Sequence, residues 1–156
     1  MSKVTKDRIR GLELFSGCRR AQVKAIDALG STIDIPKNTL LCREGSPGRE
    51  FFVLAEGTAT VHASSGAVAV LHQGAWFGEI ALMRGTPRQA TVTSLTAAML
   101  LVFDAREFTA LLQAAPRIRP RLERSIDLVR TAARPTVQSW YQPVRYGGDA
   151  RIALST

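Results

Sequence analysis

Short apolar segments separated by turn residues fill the middle of the chain, and this pattern limits the fold more than any other feature. The segments lie at 39–42, 51–55, 58–62, 67–71, 90–94 and 98–103, with glycine, proline, serine or asparagine between most of them. Many short strands at near-regular spacing are typical of a β-sandwich or barrel and not of a parallel sheet. The sequence therefore predicts a mainly β domain from about residue 31 to residue 103.

Both ends of this region have helical periodicity. In the first thirty residues apolar side chains recur at helical spacing, with Gly17 as a break and Gly30 as the end. After the strands, Asp104 is a predicted N-cap for a helix over 105–115, with Glu107 completing a capping box. Pro116 ends that helix, and a second helix follows from residue 117 or 120 to 134. Its apolar stripe predicts core packing, a homodimer contact, or both: Ile118, Leu122, Ile126, Val129 and Ala133.

Length and composition indicate one globular domain and a preference for anionic partners. The chain has 156 residues, 46% of them apolar, and a net charge of +8. Its longest apolar run, 97–103, is too short to cross a bilayer, and its polar start has no signal-peptide core. We expect a cytoplasmic protein in which Cys18 and Cys42 are reduced thiols. The eight arginines within 117–156 favour an anionic partner, whether nucleotide, nucleic acid, acidic protein or membrane surface, or form a solvated helix face.

The segment from Trp76 to Thr91 differs from an ordinary connection between strands. It places Gly78 beside Glu79, continues with a short apolar stretch that fits one helical turn, and sets Arg88 after a proline. The free N–H groups of a helical turn attract anions, and an arginine fork suits a phosphodiester. The Glu79 carboxylate is an acceptor for a sugar hydroxyl. These residues together predict a site for a sugar phosphate.

The same segment resembles a known family. The letters GEIAL at 78–82 and PRQAT at 87–91 are similar to the phosphate-binding cassette of cyclic nucleotide-binding domains. That family includes regulatory subunits of the cAMP-dependent kinase, catabolite activator proteins and cyclic-nucleotide-gated channels. The resemblance extends over roughly 10–134, including the turn at 43–48 and the hydrophobic run at 52–61.

The resemblance implies a fold and a set of roles. The fold is a β-roll or jelly-roll barrel of about eight strands, with an N-terminal helical segment and two C-terminal helices, all within residues 1–134. Residues 135–156 remain as an irregular tail. The implied ligand is cAMP, with cGMP as the alternative, and the implied contacts are Glu79 with the ribose 2′-hydroxyl and Arg88 with the phosphate. The implied ligand-binding residues are Gly78, Glu79, Ile80, Ala81, Arg88, Gln89 and Ala90.

The resemblance also implies a route for the signal. Leu82 is the expected hinge, which passes movement of the cassette to the helix over 105–115 through Phe108. Two residues depart from the family pattern. Gln89 replaces a small residue and is free to contact the base, point to solvent or crowd the pocket. Asn38 stands where a turn glycine is usual, and asparagine tolerates the left-handed backbone that such a turn needs.

Several alternatives remain open at this stage. The main hypothesis is a regulatory cyclic-nucleotide sensor that acts on an effector protein of unknown identity. The second is a ligand-free interaction module of the same fold, with Gln89 blocking the pocket. A transcription regulator is disfavoured because the tail has no room for a recognition helix, so we expect no specific DNA binding. An enzyme is the least favoured class, because the sequence has no recognisable nucleophile–base pair and no set of metal ligands. The tail aromatics either cap the base or hold the tail in place: Trp140, Tyr141 and Tyr146.

Overall fold

The computed structural model describes residues 4–64, 66–132 and 151–154. For residue 67 and for 126–132 and 151–154 it describes the backbone alone. The tail aromatics Trp140, Tyr141 and Tyr146 lie outside these ranges, so their predicted roles stay predictions. Within the described residues, no helix combines the length and the apolar character that crossing a bilayer requires.

The strands form two antiparallel sheets. The first has the order β1-β8-β3-β6 and the second β2-β7-β4-β5-β9. Their bounds are β1 Ser31–Ile35, β2 Leu40–Cys42, β3 Glu50–Glu56, β4 Ala59–His62, β5 Ala67–Leu71, β6 Trp76–Phe77, β7 Thr91–Ser94, β8 Ala98–Asp104 and β9 Arg151–Leu154. The prediction of a mainly β domain with about eight strands and flanking helices is confirmed. In the described part of the chain, no ladder joins the two sheets into a closed barrel.

Strand β3 lies at the centre of the core because both of its faces are covered. Its five consecutive residues from Phe51 to Ala55 are all buried, so side chains on both faces are covered, and within the sheet β3 pairs with β8 and β6. The Phe51 ring lies 6.0 Å from the Phe103 ring and 5.0 Å from the Phe108 ring. The continuous apolar run thus forms a strand that is buried on both faces. Alternating apolar and polar residues would have left one face exposed to solvent.

The N-terminal residues form three short helices: α1 Lys6–Gly11, a 3-10 turn Glu13–Phe15 and α2 Arg20–Leu29. The Thr5 hydroxyl caps α1 by accepting from the Arg8 N–H at 3.2 Å. Gly17 has φ 82° at the predicted break, and Gly30 is the C-cap of α2. The predicted helical segment, with its break and its end, is confirmed.

Two further helices follow β8: α4 Ala105–Ala114 and α5 Ile118–Ala132. The predicted capping box is present, since the Glu107 N–H donates to Asp104 at 2.7 Å and the Asp104 N–H donates to Glu107 at 2.8 Å. On α5, Ile118 and Leu122 are fully buried. Arg121 ties the helix to the N-terminal turn by donating to the Leu14 carbonyl at 2.6 Å.

The tail departs from its prediction at four positions. Residues 135–156 were predicted to be irregular, but Arg151–Leu154 pair antiparallel with β5 as strand β9. The exposed edge of β5 offers unpaired backbone groups, and a four-residue segment is enough to cover them. So short a segment carries too little period-two signal to be recognised in the sequence. The rest of 135–156 lies outside the described residues.

The capping box generates a stability prediction. Asp104→Ala removes the side-chain acceptor at the start of α4 and should lower the free energy of unfolding by about 1 kcal/mol. Asp104→Ser keeps a capping oxygen and should lose less than half as much. Urea denaturation of the three proteins measures both values. Equal losses in the two variants would contradict the capping role.

Candidate functional site

The segment after β6 is shaped by two left-handed glycines. Gly78 (φ 97°) is the N-cap of helix α3, Glu79–Arg84, and Gly85 (φ 65°) is its C-cap. The predicted helical turn at this place is confirmed. A side chain at Gly78 would also collide with its surroundings, because a Cβ there would lie 2.6 Å from the Glu50 carbonyl oxygen and 2.7 Å from Nη1 of Arg88. Only glycine satisfies both the backbone angle and the close approach.

Arg88 is buried and points into the wall of the domain. Its side chain is 6% exposed, and Nη1 donates to the Gly78 carbonyl at 3.2 Å while Nη2 donates to the Glu50 carbonyl at 2.8 Å. Nη2 also lies 3.7 Å from the Glu50 carboxylate, and the guanidinium lies 5.8 Å from the centre of the Phe52 ring. Arg88 thus has a structural task that was not predicted from the sequence. The guanidinium joins Gly78 to the start of β3.

The backbone of Arg88 is held as firmly as its side chain. Its N–H donates to the Ser46 carbonyl at 2.8 Å, and its carbonyl accepts from the Gly45 N–H at 2.8 Å. The turn at 44–48 also approaches α3, because a Cβ at Gly48 would collide with the Cβ of Ala81. The turn that resembles the family pattern therefore packs against both α3 and the backbone of Arg88.

Glu79 is the second buried charged residue of the site. It is 1% exposed and begins α3, where the helix dipole favours a negative charge. Glu79 and Arg88 line one cleft, whose free volume of about 50 Å³ holds only a few water molecules. The cleft residues are Cys42, Val61, Phe77, Gly78, Glu79, Ile80, Ala81, Arg88, Gln89, Ala90 and Val92.

All seven residues expected to bind a ligand lie along this cleft, although their individual roles stay predictions. Gln89 is exposed at the rim, so its side chain is not buried in the cleft. The two expected hinge residues lie elsewhere. Leu82 is half-buried on α3 against the core, and Phe108 is buried on α4 against Phe51.

Four residues of the apolar wall were missed from the sequence: Cys42, Val61, Phe77 and Val92. Three of them form a row across neighbouring strands, because Val92 on β7 is the register partner of both Cys42 on β2 and Val61 on β4. Finding this row requires the order of the strands, since β2, β4 and β7 are far apart in the chain. The period-two pattern of each strand was the only available signal.

The pKa of the Cys42 thiol shows that this wall is apolar. Burial raises the pKa of its thiol to about 11, against an ordinary value of 9.0. The positive charge of Arg88 opposes the rise in part, whereas the carboxylates of Glu50 and Glu79 add to it. The thiol is therefore neutral at physiological pH, and it packs as a small apolar group.

The two left-handed glycines provide a matched pair of substitutions. Gly85→Ala meets only backbone strain of about 1–2 kcal/mol, because no atom lies within 4 Å of the added Cβ. Gly78→Ala adds the collision with Glu50 and Arg88, which should cost about 1–3 kcal/mol more. Urea denaturation measures the difference. Equal losses of unfolding free energy in the two variants would show that the guanidinium of Arg88 can move away from the added Cβ at no cost.

The comparisons with known proteins agree with this geometry. A match described as "Cyclic nucleotide-binding domain" covers residues 32–115. A cyclic nucleotide-gated potassium channel of Mesorhizobium japonicum is 39% identical over 84 residues, which are 54% of this chain and 23% of the channel. A cAMP-dependent protein kinase regulatory subunit of Dictyostelium discoideum is 34% identical over 98 residues, 58% of this chain and 30% of that protein. The chain thus matches less than a third of the length of either relative.

A solved structure shows the same fold. The structure described as "Sp-2Cl-cAMPS bound to PKAR CBD2" superposes with a TM-score of 0.73 at 20% sequence identity, and the match covers 82% of this chain and 86% of that one. At this identity the likeness concerns the fold alone. The match over 32–115 includes both sheets up to β8, the helix α3 and the whole cleft. This chain belongs to the cyclic nucleotide-binding domain family.

Proposed function

We propose that the cleft binds a cyclic nucleotide, cAMP in the first place and cGMP as the alternative, and that the chain acts as a regulatory module. One observation carries this proposal. Arg88, which is 7% exposed, and Glu79, which is 1% exposed, line the same small cleft. A buried guanidinium suits a phosphodiester and a buried carboxylate suits a sugar hydroxyl, and both interactions gain strength where water is excluded.

Arg88 has donors left for a phosphate. A guanidinium carries five N–H groups, and its hydrogen bonds to Gly78 and Glu50 occupy two of them. The existing bonds fix the plane of the fork before a ligand arrives, so little side-chain entropy is lost on binding. Glu50 already neutralises part of the charge at 3.7 Å. A phosphate would therefore compete with the Glu50 carboxylate for the same guanidinium.

The size of the cleft favours a second candidate, a ligand-free interaction module of the same fold. About 50 Å³ of free volume does not accept a whole nucleotide. Binding would require the cleft to widen or most of the ligand to lie across its mouth. The exposed position of Gln89 opposes the specific version in which this side chain fills the pocket. The two candidates differ in whether any cyclic nucleotide binds, so a titration separates them.

The relatives support a role in regulation and not in catalysis, since the two named above are a kinase regulatory subunit and a gated channel. A transcription regulator remains the less favoured alternative that the sequence left open. The effector, a cytoplasmic location and a homodimer through α5 remain expectations from the sequence.

Calorimetric titration with cAMP and with cGMP tests the proposal. We expect micromolar or tighter binding of at least one. Arg88→Ala should cost about 2–5 kcal/mol, or roughly 30- to several-thousand-fold in affinity, because it removes one partner of a desolvated charge pair. Arg88→Lys keeps the charge but loses the fork, and should weaken binding about tenfold or more.

Arg84→Lys is the matched control, because Arg84 is an exposed arginine at the end of α3, four residues before Arg88. Its affinity should stay within about threefold of the parent. Circular dichroism checks that each variant is folded, since Arg88 also has the structural task described above. No heat with either nucleotide, from folded protein free of carried-over ligand, would favour the ligand-free module.

We further propose that Leu82 and Phe108 pass the signal to the C-terminal helices. The support is that the helices carrying them, α3 and α4, both contact β3. Leu82 lies on α3, which is a neighbour of β3, and Phe108 lies on α4 with its ring 5.0 Å from Phe51 of the same strand. The shared neighbour gives movement of α3 a packed route to α4.

Hydrogen exchange with and without cAMP tests this route. Leu82→Ala should leave the affinity within about threefold, because the side chain points to the core, and should remove most of the cAMP-induced change in exchange of α4. Met83→Ala is the control, a half-buried neighbour on the same helix. The hinge assignment is wrong if both variants keep the full change in α4.

A further inference from the structure

A groove between the two N-terminal helices concentrates positive charge. Its walls are α1 and α2, and its residues are Thr5, Lys6, Asp7, Arg10, Arg20 and Lys24. The four basic residues are all exposed. Of the acidic residues that the structure describes, Asp7 is the one that forms an ion pair with a cation of the groove. It lies 3.1 Å from Arg10, and its own side chain is 91% exposed. The groove thus has an excess of three positive charges over its one acid.

The spacing of these cations, and the position of Arg20, oppose the local preferences of the helices that carry them. Lys6 and Arg10 are four residues apart on α1, and Arg20 and Lys24 are four apart on α2. Like charges at this spacing repel and destabilise a helix. Arg20 is also the first residue of α2, whose first turn has no acid, so its charge opposes the helix dipole. The charge of Arg10 is offset by its ion pair with Asp7. For Arg20 and Lys24 the described residues supply no ion pair, and uncompensated local conflicts of this kind are typical of functional surfaces.

The groove is separate from the nucleotide cleft. The family match begins at residue 32, after both helices, and the groove and the cleft have no residue in common. The groove is therefore a feature of this chain's own N-terminal segment, and its role does not depend on the function proposed above.

We propose that this groove binds an acidic peptide segment of a partner protein in an extended conformation. The spacing of the charges supports an extended peptide. Residues four apart on a helix are separated by about 6 Å along its axis. Carboxylates on the same side of an extended chain are about 6.6–6.8 Å apart, since they recur every second residue. Acidic residues at alternate positions would therefore meet Lys6 and Arg10 on one wall and Arg20 and Lys24 on the other.

Two other polyanions fit the groove less well. Surfaces that bind membranes combine basic residues with apolar side chains that insert, but the exposed large apolar residues lie outside the groove: Ile33, Leu40 and Leu95. Surfaces that bind single-stranded nucleic acid add aromatic rings for base stacking, and no aromatic residue lines this groove. Paired basic helices around a narrow depression suit a linear chain of carboxylates better than either.

The test uses a fluorescein-labelled nonapeptide with glutamate at alternate positions and serine between. Anisotropy should show binding to the parent chain at about 0.1 M salt and its loss near 1 M, where the Debye length falls from about 10 Å to about 3 Å. The same peptide with glutamine in place of glutamate should bind at least about tenfold more weakly.

The double variant Arg20→Glu with Lys24→Glu should weaken binding about tenfold or more, because each change replaces an attraction by a repulsion. It should melt no lower than the parent, since it places a negative charge at the start of α2 and replaces repulsion from the two groove cations of α1 by attraction across the groove, so unfolding would not explain the loss. The control is the double variant Lys37→Glu with Arg106→Glu, which changes the net charge by the same amount at two exposed positions outside the groove. It should stay within about threefold of the parent.

Phosphatidylserine vesicles and oligothymidylate are titrated alongside the peptide. The proposal is overturned if the glutamate peptide does not bind, or if both double variants lose binding equally and only net charge matters. It is also overturned if vesicles or oligothymidylate bind through Arg20 and Lys24 while the peptide does not, because the groove would then serve a membrane or a nucleic acid.

Discussion

The burial of the Arg88 guanidinium is the interaction on which the site depends. An arginine removed from water is costly unless its donors find acceptors, and two backbone carbonyls accept two of its five N–H groups at 2.8 and 3.2 Å. Those carbonyls belong to Gly78 and Glu50, so the guanidinium brings the start of α3 to the start of β3. The left-handed Gly78 follows from this arrangement, since any Cβ there would occupy the space that the guanidinium needs.

In the function proposed above, structure and ligand recognition share one side chain. The fork of Arg88 is held in place by its own hydrogen bonds, and its remaining N–H groups would be the donors for a phosphate. The Glu50 carboxylate at 3.7 Å would then be an internal competitor for the same charge. A phosphate that displaced this carboxylate would alter the contacts at the first residue of β3, the strand that also carries Phe51. The proposed function thus connects ligand binding with the packing of α4 through one strand.

Local chemistry explains which features the sequence predicted. Asn38 was expected to adopt the left-handed turn conformation and has φ 65°, since the residue itself determines that preference. The capping box at Asp104 and the end of α2 at Gly30 are local in the same way. The features that the sequence did not predict depend on residues distant in the chain. The structural role of Arg88 needs Glu50, thirty-eight positions away, and the wall of the cleft needs the order of three strands. Nothing in a single window of sequence contains that information.

The net charge of +8 likewise could not be interpreted until the cations were placed. Arg88 is buried, so its interactions are strong, directional and little screened by salt. The cations of the groove between α1 and α2 are exposed, so each contributes weakly and only their number gives an appreciable attraction. The first situation suits one small anion of fixed shape, whereas the second suits an extended partner whose charges recur at a regular interval. Burial, and not charge, distinguishes the two sites, and burial is the property that composition does not contain.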